Sequence, residues 1–218
     1  MQVVSSKDAA DLIRQYEWLG NPGKPQATYG LVDGAGELLG VSSFGKPLHT
    51  HSSHVCGKRN ADKVILLERG ACVHWAHEHA ASYLIARACK RAAAEHGWRV
   101  FLAYADPMAG EIGTVYQATN WLYLGQNLGR SSARYLLRPP WVEPGDVANY
   151  LSERILRHGT ALQRFGSNPA TFGEARRAGY EIVPTKGKHT YCRLEGDKRE
   201  QRALRAALRY TSKPYPKR

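Results

Sequence analysis

KVILLERGACVHWAHEHAASYLIARACKRAAAEHGWRVFLAYAD, residues 63–106, contains a complete strand–helix–strand unit. Residues 63–75 form a continuous apolar run, which is typical of a buried strand. Residues 76–97 are rich in alanine, have amphipathic spacing and end in a glycine, so they predict a helix. Residues 98–106 repeat the buried-strand pattern. This order predicts an α/β (α+β) fold, in which a mixed β-sheet is flanked by helices.

The chain before this unit predicts one helix and one hairpin. Apolar residues at helical spacing indicate a helix over residues 7–19. Residues 27–45 indicate two antiparallel strands, with Asp33-Gly34 supplying the turn between them. Residues 46–62 are polar and rich in His and Ser, which favours a loop.

The chain after this unit predicts shorter elements: a short helix in IGTVYQATN, a strand at 133–137, helices around 147–157 and 168–178, a strand in GKHTYCRL and a basic tail. No convincing linker divides the chain, so we expect a single domain over residues 1–218. Its core would span about 27–140. A C-terminal extension over about 141–218, with the basic tail at 197–218, would pack on that core.

The charge balance indicates a polyanionic partner. The chain has 31 Lys and Arg against 19 Asp and Glu, a net charge of +12 and a pI near 9.7. Such basicity favours nucleic acid, because binding releases condensed counterions. The alternative is a soluble protein that is simply basic. No run of eighteen apolar residues exists, which excludes a membrane span. The acidic N-terminus is unlike a secretory signal, and four cysteines without CxxC spacing favour a reducing cytoplasm.

The basic tail has the densest positive charge. Arginines recur there every three to four residues, with Leu204 and Leu208 forming a contrasting apolar stripe. This spacing predicts phosphate contacts, while the alternative is an ordinary solvated helix face. The predicted nucleic-acid contacts are Lys188, His189, Arg199, Arg202, Arg205, Arg209 and Lys213.

The junction between the first strand and the helix is a candidate anion site, because the first turn of a helix presents free N–H groups. The helix begins near His79 and Ala80, with Ser82 in its first turns. There is no GxGxxG motif and no Walker lysine, so nucleotide sites of those kinds are unsupported. Every crossover helix has such an N-terminus, so an ordinary structural role stays open.

YADPMAGEIGTVYQATNWLYLG, residues 104–125, places several polar side chains directly after a buried strand, where open α/β sheets bind ligands. Asp106 can hold or deprotonate an amine, and Tyr116 can return a proton. The alternative is that Asp106 caps a turn and Tyr116 belongs to the core. Gln117, Asn120 and Trp121 would line the substrate pocket.

The histidine-rich loop suggests either a metal site or a polar cleft wall. His49, His51, His54 and Cys56 have loosely suitable gaps, but no second matching pair follows them. We therefore predict no metal, although one stays possible, and expect His49 and His51 to line the substrate pocket.

Several segments resemble a known family: ERGACV with AASYLIARA, then YADPMAGEIGTVYQATNWLYLG, KHTYCRLEGDKRE and finally KPYPK. In these segments the chain resembles the Mom family of phage and prophage DNA-modification proteins, over about residues 30–218. The resemblance implies a fold similar to the GNAT acyltransferases. In that fold the pyrophosphate of an acyl-CoA docks at the N-terminus of the helix after the central strand, here residues 79–95.

The resemblance also implies an activity. Mom-like proteins convert the exocyclic N6 amine of adenine in double-stranded DNA to a carbamoylmethyl derivative, which hides phage DNA from host restriction enzymes. The family pattern matches Arg69 in the central strand, Ser82 in the next helix, Asp106 of the YADP motif and Tyr116 of the YQA motif. Arg69, Asp106 and Tyr116 would be catalytic. Ser82, with its neighbours His79 and Ala80, would contact acetyl-CoA or another acyl-CoA-like donor.

Two features depart from the family pattern. Glu111 stands where many relatives have histidine, and HWAHEH replaces a proline-containing turn before the helix. Two other functions fit the same sequence. One is an N-acetyltransferase acting on the amine of a small molecule or protein, and the other is a non-catalytic DNA-binding protein. The resemblance implies a phage-encoded protein located in the cytoplasm of the bacterial host.

Overall fold

A computed structural model gives the fold for residues 2–128, 135–153, 155–158 and 169–217. Within these ranges the chain divides into two compact units. The first unit comprises residues 2–105, 111–128 and 188–217. The second comprises residues 106–110 and the described part of residues 130–187. In the described residues, no helix is both long enough and apolar enough to cross a membrane.

A seven-stranded mixed sheet forms the centre of the first unit. Its strands are β1 (Gln2–Val3), β2 (Ala27–Val32), β3 (Leu38–Gly45), β4 (Val64–Cys72), β5 (Val100–Ala105), β6 (Leu122–Gln126) and β10 (His189–Leu194). Their order is β1-β2-β3-β4-β5-β10-β6. β4 and β5 pair in parallel, and the other neighbours pair antiparallel. The predicted mixed α/β fold is confirmed.

Helices cover this sheet and bury its apolar side chains. They are α1 (Ser6–Tyr16), α2 (Thr50–Ser53), α3 (Ala80–His96), α4 (Thr114–Ala118) and α7 (Lys198–Ala206). Gly97 ends α3 with φ +72°, the left-handed conformation that glycine adopts without a steric penalty. Leu84, Ala88 and Ala92 line the buried face of α3. The crossover helix is therefore fixed by packing as well as by its caps.

β4 and β5 separate after three residue pairs, the last of which joins Leu66 and Leu102. Beyond this point β4 pairs only with β3 and β5 only with β10. Glu68 is an extra residue in β4, because Ser43 and Phe44 pair with Arg69 and Leu67 in succession. Such a bulge bends a strand. We call the open region between Leu67–Cys72 and Ala103–Ala105 the strand fork.

The second unit has its own small sheet, in the order β8-β7-β9. Its strands are β7 (Tyr135–Arg138), β8 (Leu151–Ser152) and β9 (Glu181–Pro184), and its helices are α5 (Ile155–His158) and α6 (Phe172–Arg177). Leu137, Ala175 and Tyr180 form its buried core. The strand predicted near residues 133–137 thus belongs to this sheet as β7.

The predicted elements of the first unit are confirmed with small shifts in their ends. Residues 76–79 precede α3 as a turn, and the predicted loop at 46–62 contains α2 and a 3₁₀ helix at Lys58–Lys63. The strand in GKHTYCRL is β10, and it lies between β5 and β6 in the sheet.

Candidate functional site

The N-terminus of α3 follows β4 after a short turn. The backbone N–H groups of Ala81 and Ser82 have no acceptor in the described part of the chain, so both can bind an anion. The Ser82 hydroxyl donates to the His79 carbonyl at 2.9 Å, and its oxygen can still accept. His79 is exposed and Ala80 is buried. Of the predicted cofactor contacts, His79 and the Ser82 amide are thus the accessible groups.

Arg69 lies on β4 at the strand fork and is half-buried. Its Nε donates to the Asn21 carbonyl at 2.5 Å, and its Nη1 donates to the Glu68 carbonyl at 2.6 Å. These two bonds fix the guanidinium plane. The N–H groups on Nη2 have no acceptor among the described residues. The guanidinium is therefore held in place while its Nη2 donors can bind a ligand.

Glu17 is a site residue that the sequence does not reveal. It ends α1, and its Oε2 accepts the Leu19 N–H at 3.0 Å. Burial raises the pKa of its carboxyl, the charge of Arg69 lowers it, and the charge of Glu111 raises it further. Arg69 and Glu111 therefore both lie close enough to Glu17 to act on its carboxyl. A glutamate at a helix end is common, so no local pattern could have singled it out.

Tyr116 lies on α4 within an aromatic group. Its ring centroid is 5.2 Å from that of Trp121 and 5.2 Å from that of Tyr191. Burial raises the pKa of the Tyr116 phenol, and the charge of Glu111 raises it further. The structure gives its hydroxyl no hydrogen-bond partner among the described residues. Tyr116 is therefore a neutral phenol, suited to donate a hydrogen bond rather than to act as a base.

The turn before α4 is held together by Gln117 and Tyr191. Gln117 Nε2 donates to the Ile112 carbonyl at 3.1 Å and to the Tyr191 hydroxyl at 3.3 Å. The Tyr191 hydroxyl donates to the same Ile112 carbonyl. The amide of Gln117, which was predicted to face a substrate, thus holds the backbone that positions Tyr116.

Four other residues were predicted to line the pocket, and for one of them, Trp121, the prediction is wrong. Trp121 is fully buried at 0% exposure in the core of the first unit, so the prediction that it lines a pocket is wrong. Its indole N–H has no partner among the described residues. Asn120 is exposed with φ +58°, a conformation that asparagine tolerates in turns. The rings of His49 and His51 are half-buried and stacked at 5.4 Å.

Asp106 belongs to the second unit and follows β5 directly. Its Oδ1 accepts the Met108 N–H at 3.0 Å, which caps the 3₁₀ turn Pro107–Ala109. The side chain is half-buried rather than sealed. The capping role considered from the sequence is therefore present, and a chemical role for this carboxyl stays a prediction.

No metal-binding group is formed by the described residues: in these ranges no three His, Cys, Asp or Glu side chains are arranged to hold an ion. All four cysteines are free thiols. Burial raises the pKa of the Cys56 thiol to about 11, so Cys56 is a packing residue rather than a nucleophile.

The predicted basic stripe is exposed on and just after α7. We call Arg199, Arg202, Arg205 and Arg209 the arginine stripe. Both acids of the tail are engaged elsewhere, since Asp197 caps α7 and Glu200 pairs with Arg99 at 3.1 Å. The stripe forms no ion pair in the described part of the chain, so its charge is available to a partner.

The remaining predicted nucleic-acid contacts fall into two groups. Lys188 and Lys213 are exposed. His189 is 7% exposed, and its Nδ1 lies 2.8 Å from the Tyr123 hydroxyl. Burial lowers the pKa of His189. The prediction that His189 contacts phosphate is therefore wrong, because a buried ring with a lowered pKa packs β10 against β6 instead.

A family model decides the relationship of the chain to known proteins. The model of the Mom protein family matches residues 1–217. The chain belongs to the Mom family. This match confirms the family resemblance, and it covers both units of the Mom-family fold described above. No curated protein matches the chain.

Several solved acetyltransferases are similar to this Mom-family chain. An acetyltransferase of Bacillus subtilis in complex with CoA is 10% identical, with 89% of this chain and 97% of that chain covered and a TM-score of 0.45. An N-acetyltransferase of Staphylococcus aureus Mu50 is 18% identical, with coverages of 60% and 88% and a TM-score of 0.41. The ribosomal-protein-S5-alanine acetyltransferase of Vibrio fischeri is 7% identical, with coverages of 90% and 92% and a TM-score of 0.45.

Proposed function

We propose that this protein is an acyltransferase-type enzyme that modifies the N6 amine of adenine in double-stranded DNA. The added group is carbamoylmethyl or a related acyl-type group, and it protects phage DNA from restriction. The observation that carries the proposal is membership of the Mom family over residues 1–217. The alternatives are an N-acetyltransferase for another amine and a non-catalytic DNA-binding protein.

The exposed arginine stripe supports DNA as the partner. Its charges have no acidic partner in the described residues, so duplex phosphates can neutralise them with release of counterions. A target adenine is out of reach of a side chain while it is stacked, so we expect the base to be extruded before reaction.

The strand fork and the start of α3 support an acyl-CoA-like donor. The free amides of Ala81 and Ser82 suit the pyrophosphate, and the unpaired edge of β4 suits an extended amide chain. These residues therefore fit the donor chemically. An acyl-CoA would supply an activated acyl group. The amides of Ala81 and Ser82 would bind its phosphates, and the unpaired edge of β4 would bind its amide arm.

Tyr116 and Arg69 are the residues of the first unit best suited to the reaction. Because the Tyr116 phenol is neutral, it can donate a hydrogen bond or a proton to a leaving group. Arg69 can steady developing negative charge through the donors on its Nη2. The charge of Glu111 raises the pKa of Tyr116, and the charge of Arg69 lowers that of Glu17.

Asp106 is the third residue that we propose for the reaction, because it follows β5 directly. Its role would be to hold or deprotonate the N6 amine. Because Asp106 also caps a turn, Asp106→Ala removes both the charge and the cap. Asp106→Asn keeps an oxygen for the Met108 N–H and removes only the charge. Loss of modification in both variants supports the chemical role. If Asp106→Asn keeps its activity, Asp106 serves only to cap the turn.

The proposal as a whole is tested by nucleoside mass spectrometry of DNA from cells that express the chain. We expect a heavier derivative of deoxyadenosine and resistance of that DNA to restriction enzymes whose sites contain adenine. Unmodified DNA from cells with folded protein would reject DNA modification. If a protein or small-molecule amine is acylated instead, the protein is an acyltransferase whose substrate is not DNA.

A further inference from the structure

We propose that Lys58 and Arg59 form one duplex-DNA-binding surface together with the arginine stripe. This inference rests on the proposed function, because it takes DNA as the partner. It adds a second, distant segment to the surface that holds the duplex. The sequence gives no sign of this, since residues 46–62 read only as a polar loop.

The two segments are joined by buried packing. Val55 and Cys56 lie in one apolar cluster with Leu204, and Leu208 packs against that cluster. The backbone N–H of Arg209 donates to the Val55 carbonyl at 2.9 Å. The segment that leads into the 3₁₀ helix Lys58–Lys63 is therefore fixed beside the end of α7 and beside Arg209 of the arginine stripe.

A shallow cleft of about 840 Å³ lies between the two segments. Its lining residues are Cys56, Gly57, Lys58, Arg59, Asn60 and Ala207. Lys58 and Arg59 are exposed, and Asn60 Nδ2 donates to the Cys56 carbonyl at 2.8 Å, which stiffens the turn that presents them. Asp62, the acid of this segment, pairs with neither cation among the described residues.

The combined surface suits a duplex backbone. From Arg199 to Arg205 the stripe extends roughly 9 Å along α7, and the cleft prolongs the positive surface past its end. A duplex places one negative charge about every 1.7 Å along its axis. An extended surface built from two segments can therefore reach several phosphates at once, which a single turn of helix cannot do.

A second basic cleft, of about 420 Å³, lies on α3, but its arginines are less available to bind phosphate than Lys58 and Arg59. Its lining includes Arg87, Lys90 and Arg91. Arg87 lies over the ring of Tyr83 at 5.8 Å, and Arg91 donates to Glu95 at 2.6 Å. These cations are already engaged, in contrast to Lys58 and Arg59. The α3 cleft therefore serves as the comparison site.

The test is duplex binding by the full chain carrying Lys58→Ala and Arg59→Ala, measured over a series of salt concentrations. If both side chains contact phosphate, the slope of log affinity against log salt becomes less steep by about 2. Affinity at low salt falls as well. Thermal unfolding should be unchanged, because both side chains are exposed.

The matched control is Lys7→Ala with Lys90→Ala, which removes two exposed lysines of the first unit, one from α1 and one from the α3 cleft. We expect its salt slope to equal that of the unchanged chain. Equal slopes in the two double variants overturn this inference while the proposed function stands. Failure of the unchanged chain to bind duplex overturns both.

Chemical acetylation gives a readout that does not depend on any variant. In the unchanged chain bound to duplex, we expect Lys58 to be protected from an acetylating reagent and Lys90 to be modified as in the free protein. Protection of Lys90 with Lys58 left reactive would assign the duplex to the α3 cleft and reject the proposal.

Discussion

Gly113 lies directly against the ring of Tyr191, so that a Cβ placed on Gly113 would be 2.7 Å from the Tyr191 Cζ atom. Gly113 also has φ +74°, where any other residue is strained. The contact fixes the start of α4 and thereby the ring of Tyr116. The position of Tyr116, for which we propose a catalytic role, thus depends on a glycine three residues before it and on a strand from the C-terminal part of the chain.

Replacing Gly113 by alanine should destabilise the fold by about 2–5 kcal/mol. The left-handed backbone accounts for about 1–2 kcal/mol, and the collision with Tyr191 adds about 1–3 kcal/mol. Thermal unfolding measures the change. Gly36→Ala is the matched control, because Gly36 has φ +86° but no atom within 4 Å of its Cβ position. Equal losses in the two variants would show that the contact with Tyr191 is unimportant.

Replacing Tyr116 by phenylalanine should lower adenine modification by roughly 10²–10⁴-fold and leave stability nearly unchanged, because its hydroxyl has no partner among the described residues. Nucleoside mass spectrometry and thermal unfolding measure the two effects. Tyr29→Phe is the control. It should lose the 2.7 Å hydrogen bond to Glu95 and about 1 kcal/mol of stability, but it should keep full modification activity. Full modification by Tyr116→Phe would remove the phenol from the mechanism.

His189 should make stability depend on pH below neutrality. Burial lowers its folded-state pKa, so the neutral ring contributes stability above about pH 6.5, the value of the unfolded chain. That contribution is lost as the pH falls towards the folded-state pKa. The free energy of unfolding should therefore decline less steeply from pH 7 to 5 in His189→Gln than in the unchanged chain. The exposed His74→Gln is the control, and parallel curves for all three proteins would contradict the assignment.

Replacing Arg202 and Arg205 together by alanine should weaken the salt dependence of duplex binding. The slope of log affinity against log salt should become less steep by about 2. The melting temperature should not change, because both side chains are exposed and unpaired in the described residues. Lys7→Ala with Arg14→Ala on α1 removes the same charge and serves as the control. A slope equal to that of the control would mean that the arginine stripe is an ordinary solvated face.

The sequence alone determined the local elements and the charge of the surface. Apolar runs, helical spacing and Gly97 were enough to predict β4, α3 and β5, because these signals depend on neighbours within a few residues. The spacing of the arginines likewise predicted an exposed stripe, and short motifs led to the Mom family. Each of these features can be recognised in a single stretch of chain.

Tertiary structure alone decided which segments meet. β10 enters the sheet between β5 and β6, and β4 parts from β5 at Leu66, although no local pattern specifies either partner. The same long-range pairing buries Trp121 and His189 and brings Glu17 into the field of Arg69. Burial and charge proximity depend on residues far apart in sequence. These properties are therefore determined only when the strands pair in the tertiary structure.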